Sequence, residues 1–396
     1  MKRRVASHVA ELPKSGIRKF FDIVSRSKDV VSLGVGEPDF DTPWHVSRAA
    51  VTALENGGTH YTSNLGTAEL RAAIVRYLRR RFDAEFDPAG EVLVTVGVSE
   101  AIDLAIRAIC EPGDEILYHE PCFVSYAPTI RLAHAVPVPV VTRAEDEFRL
   151  TVAALEQKVT PRTKAMLLNF PCNPMGATLS PAEIREILEF ARRHDLLVLA
   201  DEVYSELNYE AAAEPGAKLP SFAAFREYRD RVVLLNGFSK SWAMTGYRLG
   251  YACGPADVID AMMKIHQYGI MSAPTLSQAA GVEAMETGDG DVERMRREYR
   301  RRRDFLVGSL NEMGLKTVLP KGAFYVFADV RSTGLDDETF ALRLLKEHGV
   351  AVVPGRAFGA CGAGFVRMSY ATNLEKIRLA VTRIAAMVRK EADGQD

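Results

Sequence analysis

An α/β fold built on a mostly parallel central sheet, with a smaller α+β domain towards the C-terminus, is predicted by three features of the 396-residue chain. Between residues 45 and 280, short apolar runs alternate with helix-patterned stretches, the rhythm of buried parallel strands joined by crossover helices. One of these runs, 196–200, ends at Asp201 and Glu202, which puts a carboxylate at a strand's C-terminal edge, where open α/β sheets bind ligands. After residue 285 the pattern changes to a long charged helix followed by short strands.

In chain order, 92–96 reads as a strand and Gly97 as a turn. The next stretch reads as a helix, because Val98, Ala101, Ile102, Ala105, Ile106 and Ile109 keep i, i+3, i+4, i+7 spacing; Glu111-Pro112-Gly113 stops it. Strands are predicted at 164–170, 196–201, 232–235 and 249–254. Ser180-Pro181-Ala182-Glu183 is a capping box with proline at the first helical position, opening a helix that buries Ile184, Ile187, Leu188 and Ala191. Further strands are predicted at 323–327, 350–353 and 366–370, and a last amphipathic helix at 374–390. The expected organisation is an N-terminal segment 1–44 that completes the small domain, a large domain 45–284 and a small C-terminal domain 285–396.

Composition narrows the function classes. The 47% hydrophobic content suits two domains with a sizeable core, and a net charge of −2 gives no general attraction to nucleic acid or anionic membranes. Five scattered cysteines without a C-x-x-C pair point to a reducing, cytoplasmic setting, without a disulfide frame or zinc knuckle. No run has the roughly 18 apolar residues of a membrane span. The basic start Met1-Lys2-Arg3-Arg4 leads into mixed polar sequence, which does not read as a signal peptide. The eight histidines show no ligand spacing, so no metal site is expected. The basic run 300–303, flanked by Glu298 and Asp304, reads as an ion-paired solvated helix face.

The chemistry concentrates around Lys240, which follows the strand 232–235 in an apolar, tightly turning stretch. Desolvation and a nearby cation lower a lysine's pKa, and such an amine holds a carbonyl as an imine, as proteins do with pyridoxal phosphate. Arg248, eight residues on, is placed to fold back and neutralise a phosphate. Asp201 at its strand end suits the counter-charge of a protonated pyridine nitrogen, and Tyr204 suits a donor to the ring's phenolic oxygen. The helix start at Gly97, Val98 and Ser99 offers free amides, a dipole and a hydroxyl for the phosphate, provided Glu100 points away. Gly-x-Gly at Gly34 and Gly36 precedes Glu37-Pro38 instead of opening a helix and is not a dinucleotide fingerprint.

These motifs, in this order and over nearly the whole chain, resemble the fold-type I, pyridoxal-phosphate-dependent aminotransferases of class I/II, the aspartate/aromatic aminotransferase-like group. The matching stretches are Asn169-Phe170-Pro171-Cys172-Asn173-Pro174-Met175-Gly176, Asp201-Glu202-Val203-Tyr204, the lysine segment 236–250, and Arg367 within 365–369. The resemblance implies a three-layer sandwich and an amino transfer in two half-reactions through an internal aldimine on Lys240. It implies stacking by Phe123, a ring-oxygen contact from Asn173, and Arg367 as a bidentate fork for the substrate α-carboxylate. It further implies that a Gly36 amide approaches that carboxylate, that Ser239 adds a phosphate contact, and that Tyr61 reaches the phosphate from the second subunit of a homodimer. Many relatives carry serine three residues before the lysine, where this chain has Gly237. Stretches 121–128 and Ser15-Gly16-Ile17-Arg18 look most like the branch accepting aromatic amino acids and aspartate, with diaminopimelate-pathway relatives nearby. A carbon–sulfur β-lyase on the same frame is the alternative. A pyridoxal-phosphate-sensing regulator would require an N-terminal DNA-binding domain, for which the segment before Gly34 is too short.

Overall fold

The computed structural model describes residues 4–13, 29–211 and 216–393, so Ser15-Gly16-Ile17-Arg18 lies outside the described residues. The strands in chain order are β1 Val31–Ser32, β2 Val92–Thr95, β3 Glu115–Glu120, β4 Val136–Val141, β5 Thr163–Asn169, β6 Leu197–Asp201, β7 Val232–Gly237, β8 Gly250–Cys253, β9 Tyr325–Asp329, β10 Val350–Ala351, β11 Val353–Pro354 and β12 Phe365–Ser369. Seven of them form one sheet in the order β2-β8-β7-β6-β5-β3-β4. β8 runs antiparallel to both its neighbours and the remaining pairs are parallel, so the sheet is mostly parallel.

Side-chain alternation along these strands builds three layers. Leu93, Leu167, Leu199 and Val233 pack against Ile102, Ile106, Ile259 and Met262 of helices Gly97–Ile109 and Ala256–Gly269. On the opposite face, Val94 and Leu234 meet Leu70 and Ile74 of helix Ala68–Phe82, while Met166, Leu168 and Val198 meet Ile184 and Leu188 of helix Pro181–Arg193. Strands with continuous apolar sequence are what such double-sided burial demands. The capping box forms as expected, with Ser180 and Glu183 each bonding the other's backbone N–H.

The edge strand β4, Val-Pro-Val-Pro-Val-Val, and its neighbour β3 were not apparent from periodicity. Alternating prolines argue against a central strand but are tolerated at an edge, and β4 pairs only with β3. The run 350–353 is not one strand. Val350 and Ala351 pair in parallel with β1, whereas Val353 and Pro354 pair antiparallel with β12, so a single apolar run serves two sheets. β9 begins at Tyr325, two residues later than the pattern indicated, because Ala323 adopts a positive φ of 57°. A separate core joins β9, β10 and β12 to helices Asp289–Glu312 and Leu374–Asp393, and reaches Val203 and Tyr204 just beyond β6.

The basic run 300–303 corrects the expectation of a solvated face. Arg300 and Arg301 are exposed, but Arg302 and Arg303 are buried at 5% and 6% exposure. Arg302 donates from Nη1 to Asp39 at 2.7 Å and from Nε to Glu298 at 2.9 Å, with its guanidinium 5.2 Å from the Phe40 ring centroid. Arg303 donates to the Pro320 carbonyl at 2.8 Å and lies over Tyr209. The helix therefore points two of the four arginines in this run inward, and one of them fastens the loop that carries Gly36.

Arg302→Met is expected to destabilise the protein by about 2–3 kcal/mol in chemical denaturation, because it leaves the half-buried Asp39 carboxylate without its partner. A loss below about 0.5 kcal/mol would mean the pair behaves as an ordinary surface ion pair.

Candidate active site

Parallel strands β5, β6 and β7 finish side by side, with Asn169 in register with Asp201 and the lysine segment leaving β7 at Gly237. At that edge lies a cleft of about 500 Å³, closed from one side by the Gly34–Glu37 loop and from another by Tyr325 and Arg367. Gly36, Val98, Ser99, Phe123, Asn173, Asp201, Tyr204, Ser239, Lys240, Arg248 and Arg367 all line it. Of the residues singled out from sequence, Tyr61 alone stands elsewhere; it is 82% exposed.

Lys240 donates from Nζ to the Gly36 carbonyl at 2.7 Å, near the rings of Tyr204 and Phe324. Burial lowers its pKa to about 8; Glu37 opposes the shift, and the Arg367 and Arg248 cations reinforce it. Gly36 thus meets the lysine through its carbonyl, a contact the sequence did not suggest. Asp201 is buried, and burial raises its carboxyl to about 6 against the opposing Tyr126 hydroxyl, which donates to Oδ2 at 2.6 Å, and the Val203 N–H. No cation donates to Asp201 among the described residues.

Arg367 is 3% exposed, donating to Asn173 Oδ1 at 3.1 Å and to the Gly34 carbonyl at 2.6 Å. Its Nε has no partner, its guanidinium lies between the rings of Tyr325 and Phe358, and burial pushes its pKa down. A buried guanidinium with a spare N–H and, among the described residues, no carboxylate beside it suits an incoming carboxylate.

The phosphate side is built by close approach. Gly97 has φ +75°, and a Cβ there would come within 2.9 Å of Arg248 Nη2, so only glycine lets the guanidinium lie against the helix start. Glu100 turns away, accepting from the Val96 N–H at 2.5 Å and bonding His266 at 2.8 Å. The missing serine at Gly237 has a steric reason: a Cβ there would meet Val98 Cγ2 at 2.9 Å and the Leu249 carbonyl at 3.0 Å. A basic-nitrogen ring bearing a phosphate fits these groups: a buried carboxylate awaiting a cation, an aromatic face at Phe123, an amine of lowered pKa, and a guanidinium over a helix N-terminus.

Three contributors escaped the sequence reading. Asn169 ties two of the site residues together, donating from Nδ2 to the Asp201 carbonyl at 2.9 Å and accepting from the Asn173 N–H at 3.0 Å. Tyr126 holds Asp201, and Tyr325 bonds Tyr204 hydroxyl to hydroxyl at 2.9 Å. Asn169 opens the Asn-x-Pro-x-Asn-Pro stretch and was open to notice; Tyr325 sits in a run whose only sequence signal was that of a strand.

Comparison with known proteins gives one answer. The sequence profile described as aminotransferase class I and II matches residues 28–384. The chain is 45% identical to the aspartate aminotransferase of Pyrococcus abyssi, over 95% of this chain and 96% of that protein. It is 43% identical to aromatic-amino-acid aminotransferase 2 of Thermococcus litoralis, with the same coverage of 95% and 96%. The crystal structure of an aromatic aminotransferase from Pyrococcus horikoshii OT3 superposes with a TM-score of 0.88 at 43% identity, covering 94% of this chain and 99% of that one.

In cofactor-free protein, Lys240 is expected to react with an amine-directed reagent half-maximally near pH 8, well below the ordinary lysine value of about 10.4. Peptide mass mapping across a pH series checks this. A Lys240 profile coincident with the surface lysines would refute the lowered pKa.

Proposed function

Because the chain belongs to the class I and II aminotransferases, and is therefore a pyridoxal-phosphate-dependent transferase of amino groups, we propose that it moves the amino group of an aromatic or acidic L-amino acid to a 2-oxo acid in the cleft around Lys240. The observation that carries this reading is the meeting, in one cleft, of a lysine of lowered pKa, a buried carboxylate without a cation and a buried guanidinium without an anion. The substrate classes follow the names of the relatives above.

Pyridoxal phosphate, when bound, supplies an electron sink for the pair released at the substrate's Cα. The protein's part is to bind, orient and move protons. Arg248, the amides of Val98 and Ser99, and the Ser239 hydroxyl would hold its phosphate. Asp201 would keep a proton on its ring nitrogen, Phe123 would offer its ring a flat apolar face, and Asn173 and Tyr204 would serve its ring oxygen. Arg367 grips the α-carboxylate in two arms, with the Gly36 backbone alongside, and so orients the Cα–H bond. Lys240 Nζ, whose pKa burial lowers to about 8 so that half of it is neutral at that pH, takes the Cα proton. Donor and acceptor use the same cleft in turn. The named relatives are aminotransferases, and no observation favours the carbon–sulfur lyase alternative.

The working form in this reading is a homodimer. Tyr61, Tyr268, Ile270 and Met271 are all exposed, and bonds from Asn64 to the Met271 carbonyl and from Thr275 to the His60 carbonyl hold their segments together. An exposed apolar patch of this kind suits an isologous contact, which would carry Tyr61 to the phosphate of the other copy. The pairing of β1 with β10 supports the proposed division into 45–284 and 285–396, with 1–44 completing the smaller part. All five cysteines are free, in keeping with a cytoplasmic setting, and among the described residues no helix is long and apolar enough to cross a membrane.

Aspartate and aromatic donors assayed against 2-oxoglutarate, pyruvate and oxaloacetate should turn over. Ammonia and pyruvate released from cysteine-type substrates without an acceptor would overturn the reading. In the same assay Arg367→Lys should raise KM for every donor by about tenfold or more, since one arm of a charge-assisted pair contributes about 1.5–3 kcal/mol. An effect confined to dicarboxylic donors would move Arg367 to the side-chain pocket. Mixing an inactive Tyr61 variant with inactive Lys240→Ala should restore activity on subunit exchange, in the one site of each heterodimer with both native residues. No recovery despite verified exchange would rule out the shared site.

A further inference from the structure

We propose that Tyr325 is a positioning residue for the transfer reaction: its hydroxyl directs the proton of Tyr204 and shares the Gly36 carbonyl with Lys240, while its ring holds Arg367 in place. The proposal rests on the aminotransferase reading above. Tyr325 opens β9 and is buried, yet lines the cleft. Its hydroxyl lies 2.9 Å from that of Tyr204 and 3.3 Å from the Gly36 carbonyl oxygen, which also accepts from Lys240 Nζ at 2.7 Å.

Counting protons orders this chain. A hydroxyl has one proton, and a carbonyl only accepts. The contact with Gly36 therefore commits the Tyr325 proton, so Tyr204 is the donor in the 2.9 Å pair. The order runs from Tyr204 to Tyr325 to the Gly36 oxygen, which also accepts from Lys240. When an oxygen in the cleft takes the Tyr204 proton, Tyr325 turns its own proton to Tyr204 and leaves the Gly36 carbonyl to Lys240 alone. One hydroxyl thereby links what Tyr204 contacts to how firmly the lysine amine is held. The contact leaves no spare room: a Cβ at Gly36 would approach the Tyr325 hydroxyl to 2.6 Å.

The ring has a separate task. The Arg367 guanidinium lies 4.5 Å from the Tyr325 ring centroid and 4.8 Å from that of Phe358, two aromatic faces that keep a buried cation in one orientation. Among the described residues, the charges facing Lys240 are Glu37, Arg367, Arg248 and Asp201, and none is removed with the Tyr325 hydroxyl.

The test compares parent, Tyr325→Phe, Tyr325→Leu and Tyr204→Phe. In the holoenzyme, Tyr325→Phe should lower kcat about tenfold, the scale of one lost hydrogen bond, with donor KM within about twofold. Tyr325→Leu, which also removes the ring, should raise donor KM about tenfold as well. In cofactor-free protein, the pH of half-maximal Lys240 modification should move up in Tyr325→Phe, because the Gly36 carbonyl then serves the ammonium alone. It should stay at the parent value in Tyr204→Phe, where Tyr325 still donates to Gly36; a merely structural role would not separate these two variants. An active parent with unchanged kcat and unchanged Lys240 titration in Tyr325→Phe would overturn the proposal alone. Equal titration shifts in Tyr325→Phe and Tyr204→Phe would do the same. A parent without transfer activity would overturn the reading beneath it.

Discussion

Arg367 is buried and, among the described residues, has no carboxylate beside it, and much of the architecture around the cleft is arranged to tolerate that charge. An isolated buried cation costs several kcal/mol unless its surroundings solvate it. Here the solvation comes from the Gly34 carbonyl, the Asn173 side chain and two aromatic faces. Each belongs to a different part of the chain: the loop after β1, the turn after β5, the start of β9 and the segment after β11. A site holding one buried charge therefore requires strands of all three sheets to be in place. The guanidinium is oriented before any ligand arrives, so binding need not order it.

The large sheet supplies the rigid side of the arrangement. β5, β6 and β7 are parallel neighbours packed on both faces, and their polar terminal residues Asn169, Asp201 and Asn236 come from consecutive crossovers. Asn169 couples two of the resulting turns through one amide. The opposite wall is the Gly34–Glu37 loop, fastened at Asp39 by Arg302 and at Thr42 by a hydroxyl donated to the Ala243 carbonyl, three residues past Lys240. The lysine thus sits between a strand end packed on both faces and a loop fastened at both Asp39 and Thr42.

Most of this was legible in the sequence where one residue type alone can do the work. Apolar runs gave the central strands because burial on both faces leaves little choice of side chain. The residues of the cleft wall were legible because a lysine after a strand, a carboxylate at a strand end and the Asn-Pro turn each carry local chemistry. What escaped depends on distance in three dimensions. Alternating prolines hid β4 because its edge position cannot be read from the strand itself. Arg302 and Arg303 looked like surface charge because nothing local reveals Asp39, 263 residues away, or the Pro320 carbonyl. Tyr325 had the pattern of any β-strand aromatic; its role appears only when β9 is laid beside the turn after β6.

The same burial sets how the empty site weighs on stability. Asp201 in the fold titrates at about 6 against an ordinary 3.8, so the folded state binds more protons across that window and stability falls as pH rises through it. Lys240 titrates at about 8 against an ordinary 10.5, so the folded state binds fewer protons there and stability rises with pH across that window. Between about pH 6 and 8 both costs stand together, on the order of 3 kcal/mol each. That is the interval in which a ligand offering a cation to Asp201 and a carbonyl to Lys240 relieves most. The site is least stable when empty at the pH where a bound cofactor stabilises it most, so the strain that prepares the lysine for chemistry also strengthens retention of the group that uses it.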